Sequence, residues 1–354
     1  MKKELWKGNE AVAQAAINAG CRYFFGYPIT PQNEIPEYMA AHLPEVGGCF
    51  LQSESEVAAI NMVYGAAGAG ARVMTSSSSP GISLKQEGIT YLVGSELPAV
   101  IVNAMRGGPG LGTIQPAQGD YFQATRGGGN GDYRTVVLAP SSVQEAADLT
   151  AEAFDIADQY RNPVLVLMDG MIGQMMEAMT WRPLPRRELP PKTWATTGTG
   201  GRREKNIINS WRSSGALLEE HNLHLAEKWR AMEAREVRWE ERGAEGAQLL
   251  FVAYGTTARL VAGAMEQLEA RGVRCALLRP ISLWPYPAAR LRALAEQPSV
   301  RAVFAVELSL GQMVEDVRLA VEGVKPVGFF GRAGGAIPTP REIAEHALDF
   351  LEGR

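Results

Sequence analysis

Short apolar runs alternate with amphipathic windows from residue 8 to about residue 180. This rhythm is typical of β-α units built around a parallel sheet. Glycine, proline, serine or asparagine soon follows each apolar run. The predicted strands are 24–27, 71–75, 99–103, 135–138 and 163–168. Because ligands of open parallel sheets bind beyond the carboxyl ends of the strands, we expect the chemistry of this chain in the loops after these runs.

The same rhythm returns from residue 248 onward and predicts a second, smaller α/β domain. Its predicted strands are 249–255, 273–278, 300–306 and 325–330, and a closing helix covers about 340–351. Between the two parts the composition shifts to proline, arginine and tryptophan, and then to a charged helix at about 217–242. The predicted organisation is a first domain over 1–182, a connecting arm over 183–246 and a second domain over 247–354.

Within the arm, four large apolar residues recur every seven positions: Leu218, Leu225, Met232 and Trp239. This spacing predicts one narrow apolar seam, but the repeats are too few for a coiled coil. We expect a helix that lies on its own or a neighbouring subunit. His221 and His224 share one face of it, and we interpret them as solvated polar positions rather than metal ligands.

Charge and cysteine content exclude several classes of function. The net charge of -4 and the pI near 5.8 leave no broad basic face, so nucleic acid and anionic membranes are poor partners. The N-terminus is charged and no apolar run reaches membrane-spanning length, which favours a cytoplasmic protein. The three cysteines are isolated and lack CxxC spacing, which disfavours a disulfide framework, a zinc site or an iron-sulfur cluster made by this chain alone.

The first candidate site is the loop Gly26-Tyr27-Pro28-Ile29-Thr30-Pro31, which follows an apolar run. Its two prolines stiffen the backbone and would hold the Thr30 hydroxyl in a fixed direction, where it could bind a carboxylate. The alternative is that Thr30-Pro31 caps a helix starting near Asn33, with proline at the first helical position. For this motif alone, the cap is the favoured interpretation.

The second candidate is Glu56, which opens a helix of almost side-chain-free residues at 65–71. A carboxylate in such a tightly packed place needs a hydrogen-bond donor, from the protein or from a ligand. The alternative is a capping box over Ser53-Glu54-Ser55-Glu56, in which Glu56 folds back onto the serine amide. Local chemistry favours neither interpretation, and Glu54 competes with Glu56 for the role of active carboxylate.

The third candidate is the hydroxyl-rich loop Thr75-Ser76-Ser77-Ser78-Ser79-Pro80-Gly81, again after a strand. It could cap a helix or donate hydrogen bonds to a polar or anionic ligand. A serine nucleophile needs an oriented base, and no His-Asp pair accompanies this run, so a serine hydrolase is not expected. We interpret the segment as a binding loop, although a serine-rich cap explains any single serine equally well.

The fourth candidate is Arg106, which follows a strand and precedes Gly107-Gly108-Pro109. Its guanidinium could clamp a carboxylate with two parallel hydrogen bonds, and the glycines leave room for a substrate to approach the backbone. The alternative is a surface arginine on a flexible loop. No GxGxxG or GxxxxGK[ST] motif occurs, so dinucleotide and P-loop functions are not indicated. Asp120, Asp132 and Arg134 follow in an irregular polar segment and receive no role.

In their order, these motifs resemble those of one family. The set Tyr-Pro-Ile-Thr-Pro, Gln-Ser-Glu-x-Glu-x-Ala-Ala, Thr-Ser-Ser-Ser-Ser-Pro-Gly and Arg-Gly-Gly-Pro resembles the thiamin-pyrimidine subunit of 2-oxoacid:ferredoxin oxidoreductases. The resemblance covers nearly the whole chain and is greatest to the 2-oxoisovalerate (branched-chain) enzymes, with the 2-oxoglutarate alpha subunit next. It implies an α/β fold: a pyrimidine-type thiamin-diphosphate-binding parallel-sheet domain, followed by a smaller transketolase-C-terminal-like domain.

The resemblance also implies a cofactor shared between subunits. This chain would cover the aminopyrimidine of thiamin diphosphate, and a beta-type partner would hold the diphosphate and Mg²⁺. Gamma-type and ferredoxin-like iron-sulfur subunits with a [4Fe-4S] cluster would pass electrons to ferredoxin while coenzyme A takes the acyl group of the 2-oxoacid. The sequence agrees, because it lacks the Gly-Asp-Gly and following Asn that bind diphosphate and metal in thiamin enzymes; Asp169-Gly170 is preceded by Met168. The chain alone should be inactive.

Residue roles follow from the same resemblance. The active glutamate of the family precedes a helix glycine by nine positions, which selects Glu56 and Gly65 over Glu54. Glu56 would act as general acid/base on the pyrimidine and so promote formation of the thiazolium ylide. The resemblance implies that the cofactor is contacted by Tyr27, Pro28, Ile29 and Ser79. It implies that the substrate carboxylate is bound by Thr30 and Arg106.

Two alternatives to this function stay open. A self-sufficient transketolase-like enzyme or decarboxylase is disfavoured by the missing diphosphate motif. A non-catalytic scaffold that keeps the fold would use Glu56 only as a helix cap.

Overall fold

The computed structural model of the chain describes residues 2–185, 187–243 and 245–353. In this part of the chain the strands are β1 (Glu4–Lys7), β2 (Tyr23–Gly26), β3 (Cys49–Gln52), β4 (Val73–Ser77), β5 (Ala99–Met105), β6 (Val136–Leu138), β7 (Pro163–Asp169), β8 (Met176–Met179), β9 (Trp239–Arg242), β10 (Leu249–Val252), β11 (Cys275–Pro280), β12 (Ser282–Trp284), β13 (Ala302–Glu307) and β14 (Val327–Gly331). The helices are α1 (Gly8–Asn18), α2 (Glu34–His42), α3 (Glu56–Gly68), α4 (Ser79–Gly94), α5 (Tyr121–Arg126), α6 (Val143–Tyr160), α7 (Gly170–Gln174), α8 (Gly215–Arg235), α9 (Gly255–Glu269), α10 (Ala288–Ala295), α11 (Met313–Val321) and α12 (Pro340–Glu352).

Among the described residues, a seven-stranded sheet forms the centre of the first domain, in the order β12-β6-β7-β5-β4-β2-β3. Its strands are parallel except β12, which pairs antiparallel with β6. Every residue of the central strands β5 and β7 is buried. Continuous apolar runs produce such strands because helices cover both faces of a parallel sheet. The predicted parallel sheet is therefore confirmed.

Helices α3 and α4 cover one face of this sheet, and α1 and α6 cover the other. The two helices of the first face approach closely because glycine replaces a side chain at their contact. A methyl group on Gly88 of α4 would lie 2.5 Å from Cγ2 of Ile60 on α3. This close packing fixes the positions of the N-terminal ends of both helices, which point toward the carboxyl edge of the sheet.

The second domain is built on a five-stranded sheet of described residues, in the order β14-β13-β10-β11-β9. Helices α9 and α12 pack on one face in a core of their own. The other face carries α10 and α11 and shares its core with the first domain, because Leu291 and Met313 belong to the same buried cluster as Ile101 and Leu165. None of the helices in the described ranges has the length and apolar character needed to cross a membrane.

Strand pairing and buried hydrogen bonds join the two domains. β12 follows the second domain's strand β11 along the chain but adds to the edge of the first sheet, where Ser282 pairs with Leu138. The buried Asp169 carboxylate accepts hydrogen bonds from the Thr256 amide (2.9 Å) and the Thr256 hydroxyl (2.6 Å). These contacts run between the two parts of the chain that the predicted boundaries at residues 182 and 246 separate. The division into domains at these residues remains a prediction.

The predicted apolar seam of the arm is only partly present. Helix α8 ends at Arg235, so Trp239 lies outside it, in strand β9. Leu218 is 44% exposed, whereas Leu225 and Met232 are buried. The four-residue seam was wrong because β9 pairs with β11 and leaves the helical spacing.

Replacing Gly88 with alanine tests the close packing of α3 and α4. The added methyl group would meet Ile60 in a filled core, so we expect Gly88→Ala to lower the free energy of unfolding by about 1–3 kcal/mol. Chemical denaturation of the purified chain measures this change. Gly65→Ala is the matched control, because its methyl group would meet nothing within 4 Å and should stabilise helix α3 by roughly 0.5–1 kcal/mol. Equal stabilities of the two variants would contradict the described packing.

Candidate functional site

Helix α3 begins with Ser55 as its N-cap residue. The Ser55 hydroxyl accepts a hydrogen bond from the Ala58 amide (3.2 Å), and Glu56 is the first helical residue. The alternative capping box between Ser53 and Glu56 is therefore wrong, because Glu56 does not occupy the third helical position. The Ser53 amide instead donates to the Gly26 carbonyl (3.0 Å), and so the end of β2 lies beside the start of α3.

The Glu56 side chain is buried without a hydrogen-bond partner from the described residues. It is 6% exposed, and the N-terminal end of α3 supplies a favourable dipole for its carboxylate. Helix α4 approaches it at a glycine: a methyl group on Gly81 would lie 2.5 Å from Oε1 of Glu56 and 2.0 Å from Oγ of Ser77. Because burying a carboxylate without hydrogen bonds is costly, this position suits a ligand that carries a donor.

Further polar atoms next to the start of helix α4 also lack hydrogen-bond partners among the described residues. The hydroxyls of Ser77 and Ser78 are buried and form no hydrogen bond within the described chain. Buried polar groups are nearly always hydrogen-bonded in proteins, so such exceptions require an explanation. The aminopyrimidine ring of thiamin diphosphate has ring nitrogens and an exocyclic amine, and this set of a carboxylate and hydroxyls fits its donors and acceptors.

The start of helix α4 is held by a buried polar network. The Ser79 hydroxyl (2.6 Å) and the side-chain Nδ2 atom of Asn103 (2.9 Å) both donate to Oδ2 of Asp120. Oδ1 of Asn103 accepts from the Ser79 amide (3.1 Å), and the Arg106 amide contacts the Ser79 hydroxyl (3.0 Å). Burial raises the pKa of Asp120, although its two donors oppose the shift. This network fixes the loop after β5 against the loop after β4.

Arg106 is a nearly buried cation without an anionic partner among the described residues. It is 7% exposed, and its Nη1 and Nη2 atoms donate to the main-chain carbonyls of Thr30 (2.9 Å) and Leu111 (3.1 Å). Its Nε atom is buried and has no partner. The alternative of a surface arginine on a flexible loop is wrong, because the side chain is buried and two carbonyls anchor the guanidinium. The structure thus places the Arg106 guanidinium against the Thr30 main chain. The role of the two residues in binding a carboxylate remains a prediction.

The loop after β2 presents Tyr27, Pro28 and Thr30 at the surface, with Ile29 partly exposed. The buried Gln32 side chain anchors this loop. Its Nε2 atom donates to the Tyr27 carbonyl (3.3 Å), and its Oε1 atom accepts a hydrogen bond from the Ser76 hydroxyl. Helix α2 begins at Glu34, so Pro31 is not its first residue. The interpretation of Thr30-Pro31 as a helix cap is therefore wrong.

Sequence reasoning missed Lys85, which is completely buried on helix α4. Its Nζ atom donates to the Thr75 hydroxyl (2.8 Å) and to the Ser76 carbonyl (2.9 Å). Burial lowers the pKa of Lys85 to about 7, although the charge of Glu56 opposes the shift. A signal was present in the sequence, because Lys85 lies three residues after Ile82 and four before Ile89, on the apolar face of the helix.

Two family models match the chain over most of its length. The model described as pyruvate flavodoxin/ferredoxin oxidoreductase, thiamine diP-bdg, matches residues 14–234. The model described as pyruvate:ferredoxin oxidoreductase core domain II matches residues 247–343.

Named relatives resemble the chain over most of its length. The ketoisovalerate oxidoreductase subunit VorB of Methanothermobacter thermautotrophicus is 50% identical, over 98% of this chain and 97% of that protein. The 2-oxoglutarate synthase subunit KorA of Archaeoglobus fulgidus is 42% identical, over 94% of this chain and 95% of that protein.

Solved structures share the fold. The 2-oxoglutarate:ferredoxin oxidoreductase from Magnetococcus marinus, with 2-oxoglutarate, coenzyme A and succinyl-CoA bound, superposes with a TM-score of 0.86 at 28% identity. It covers 99% of this chain, which spans 65% of that longer one. A split-gene transketolase superposes with a TM-score of 0.60 at 15% identity over 98% of both chains.

The parallel-sheet domain followed by a smaller α/β domain is thus a thiamin-diphosphate-binding fold of the type predicted from the motifs. The chain belongs to the pyruvate flavodoxin/ferredoxin oxidoreductase family. The family predicted from the ordered motifs is confirmed.

Burial of Lys85 predicts a pH-dependent contribution to stability. In the unfolded chain its pKa returns to the ordinary 10.5, against about 7 in the folded chain. Between these values the unfolded state binds one proton more, so the free energy of unfolding rises with pH by up to about 1.4 kcal/mol per pH unit. Lys85→Met lacks this contribution. We therefore expect thermal melting from pH 7 to 10 to show wild-type stability rising relative to the variant; parallel curves would contradict the burial of an ionisable amine.

Proposed function

We propose that this chain is the pyrimidine-binding subunit of a thiamin-diphosphate-dependent 2-oxoacid:ferredoxin oxidoreductase. The complex would catalyse the coenzyme A-dependent oxidative decarboxylation of a branched-chain 2-oxoacid such as 2-oxoisovalerate. The full-length similarity to a ketoisovalerate oxidoreductase subunit supports the branched-chain substrate.

One observation carries this proposal: the site holds a buried carboxylate and a buried guanidinium that do not pair with each other. Segment 77–81 contacts both, through Gly81 at Glu56 and through Ser79 at Arg106. Leaving opposite charges buried and unpaired costs stability, and a protein would gain by letting them form an ion pair. The arrangement is explained if each charge binds a ligand group, a pyrimidine nitrogen at Glu56 and a substrate carboxylate at Arg106.

Thiamin diphosphate, when bound, supplies a carbanion that attacks the 2-oxo group and accepts the electrons of decarboxylation. Glu56 would hold a proton at a pyrimidine ring nitrogen and exchange it there as general acid/base. Ser79, Tyr27, Pro28 and Ile29 would line the cofactor side of the site. The family resemblance supports these roles, and the buried unpartnered hydroxyls beside Glu56 fit such a polar ring.

Arg106 and Thr30 would bind the substrate. The guanidinium is held in place by main-chain carbonyls, and its free Nε–H can donate to a carboxylate oxygen. Thr30 is exposed beside it and can add its hydroxyl. Arg106 and Thr30 would orient the 2-oxoacid by fixing its carboxylate. Because every 2-oxoacid carries this carboxylate, the pair would not distinguish one 2-oxoacid from another.

Other subunits would complete the enzyme. We propose a beta-type subunit that holds the diphosphate and Mg²⁺, and gamma-type and ferredoxin-like subunits that carry the [4Fe-4S] cluster and reduce ferredoxin. Support comes from relatives that are themselves named as subunits.

A second substrate is favoured by a specific observation. A 2-oxoglutarate synthase subunit and a 2-oxoglutarate:ferredoxin oxidoreductase both match this chain along nearly its whole length. Comparing kcat/KM for 2-oxoisovalerate and 2-oxoglutarate in the reconstituted complex separates the two substrates.

Glu56→Gln tests the general acid/base. The amide keeps the shape of the side chain but cannot exchange the proton, so we expect turnover of the reconstituted complex to fall about 100-fold or more with an unchanged melting temperature. Glu54→Gln is the matched control, because Glu54 is exposed two residues earlier and should leave turnover unchanged. Retained turnover with a large stability loss in Glu56→Gln would support the scaffold alternative.

Arg106→Ala tests the carboxylate clamp. Loss of a charge-assisted pair costs about 1.5–3 kcal/mol, so we expect kcat/KM for every 2-oxoacid to fall by roughly 10- to 100-fold, mainly through KM. Arg134→Ala, at an exposed arginine, is the control. Unchanged steady-state kinetics with several 2-oxoacids would rule out this role.

A further inference from the structure

Lys85 lies on the side of helix α4 that faces Glu56. It follows Gly81 by one turn, and residues four apart lie on the same helix face. Side chains of a helix lean toward its N-terminal end, so the Lys85 side chain extends back over the turn where Gly81 touches the Glu56 carboxylate. Its amino group ends at the Thr75 hydroxyl and the Ser76 carbonyl, at the end of strand β4.

Within the ranges that the structure describes, no acidic side chain forms an ion pair with this amino group. The two groups that accept its hydrogen bonds, on β4, are neutral. Glu56, on α3, is the charged side chain in the described part of the chain that acts on it, through space rather than by direct contact. A methionine would fill a similar volume without the cost of burying an amine. Such a costly group beside an active carboxylate indicates a function.

We propose that Lys85 is a positioning residue that acts through Glu56, its buried positive charge setting how readily Glu56 releases and recovers the proton shared with the pyrimidine. This role rests on the proposed function. Because Lys85 is completely buried within the chain, we expect it to touch neither substrate nor cofactor.

The physical argument concerns charge in a closed pocket. When Glu56 gives its proton to a ring nitrogen, a negative charge appears on a carboxylate that receives no hydrogen bond from the described chain. Lys85, when protonated, places a positive charge nearby that offsets that cost, and it does so strongly because little water screens it. The Thr75 and Ser76 oxygens hold the amine in place in advance, so no reorganisation is needed as the proton moves.

The test follows the tautomers of bound thiamin diphosphate in the reconstituted complex without substrate. Near-ultraviolet circular dichroism distinguishes the amino from the imino tautomer, and titrating pH gives a midpoint for their exchange. Below about pH 7 Lys85 carries a positive charge, and the charge of Glu56 opposes the loss of its proton. Removing this positive charge favours the protonated pyrimidine, so we expect Lys85→Met to raise the midpoint by roughly half a pH unit or more. Lys85→Gln, which keeps a hydrogen-bond donor for the Ser76 carbonyl, should shift the midpoint in the same direction and serves if the methionine variant does not assemble.

Lys228→Met is the matched control. Lys228, on helix α8 of the arm, is also a largely buried lysine whose pKa burial lowers, to about 8, but it pairs with Glu96, which follows helix α4. Its replacement should leave the tautomer midpoint at the wild-type value. A midpoint in Lys85→Met and Lys85→Gln that matches the wild type, or an equal shift in Lys228→Met, would overturn the proposal.

Kinetics give an independent check. We expect Lys85→Met to lower kcat about tenfold with KM for the 2-oxoacid unchanged, and to have no further effect in a Glu56→Gln background, since residues that act as a unit are not additive. Full additivity of the two substitutions would overturn the proposal. A wild-type complex that binds no thiamin diphosphate would overturn the proposed function itself, which distinguishes that failure from a failure of the Lys85 role alone.

Discussion

The contact between helix α4 and the Glu56 carboxylate at Gly81 is the constraint on which the site depends. Any side chain at this position would meet both the carboxylate and the Ser77 hydroxyl. The contact requires that α3 and α4 pack closely along their length, which Gly88 permits against Ile60. It also requires that both helices begin at the carboxyl edge of the sheet, directly after β3 and β4. Fold and site are therefore set by the same packing.

The site keeps several charges unpaired in a part of the protein where pairing would be favourable. Glu56 receives no hydrogen bond from the described chain, Arg106 contacts only carbonyls there, and Lys85 contacts a hydroxyl and a carbonyl. The hydrogen-bond network around Asp120 and Ser79 holds the start of helix α4 against the Arg106 backbone. Under the proposed function, local stability is sacrificed for a pocket whose charges are in place before the ligands bind.

Periodicity and turn residues predicted the central strands well, because β5 and β7 are continuous apolar runs that any parallel sheet would bury. The edge strand β3 was missed, since its residues are mostly exposed and carry little apolar signal. Strand β12 was missed because a pairing with β6, far away in sequence, defines it. At the site, the roles given to Glu56, Thr30 and Arg106 by the motif resemblance remain predictions. The choice between Ser53 and Ser55 as the helix cap needed coordinates, since both serines fit the local pattern.

The pairing of β12 with β6 has a consequence for how the protein is made. During synthesis the ribosome releases the first sheet well before Ser282–Trp284 emerges, and until then β6 presents unpaired amide and carbonyl groups at an open edge. The sheet of the first domain can be completed only when β12, roughly 140 residues after β6, has been synthesised. If the chain were divided within the arm into two separate polypeptides, the first would keep an unpaired edge strand, β6, and the second would carry β12 without its pairing partner.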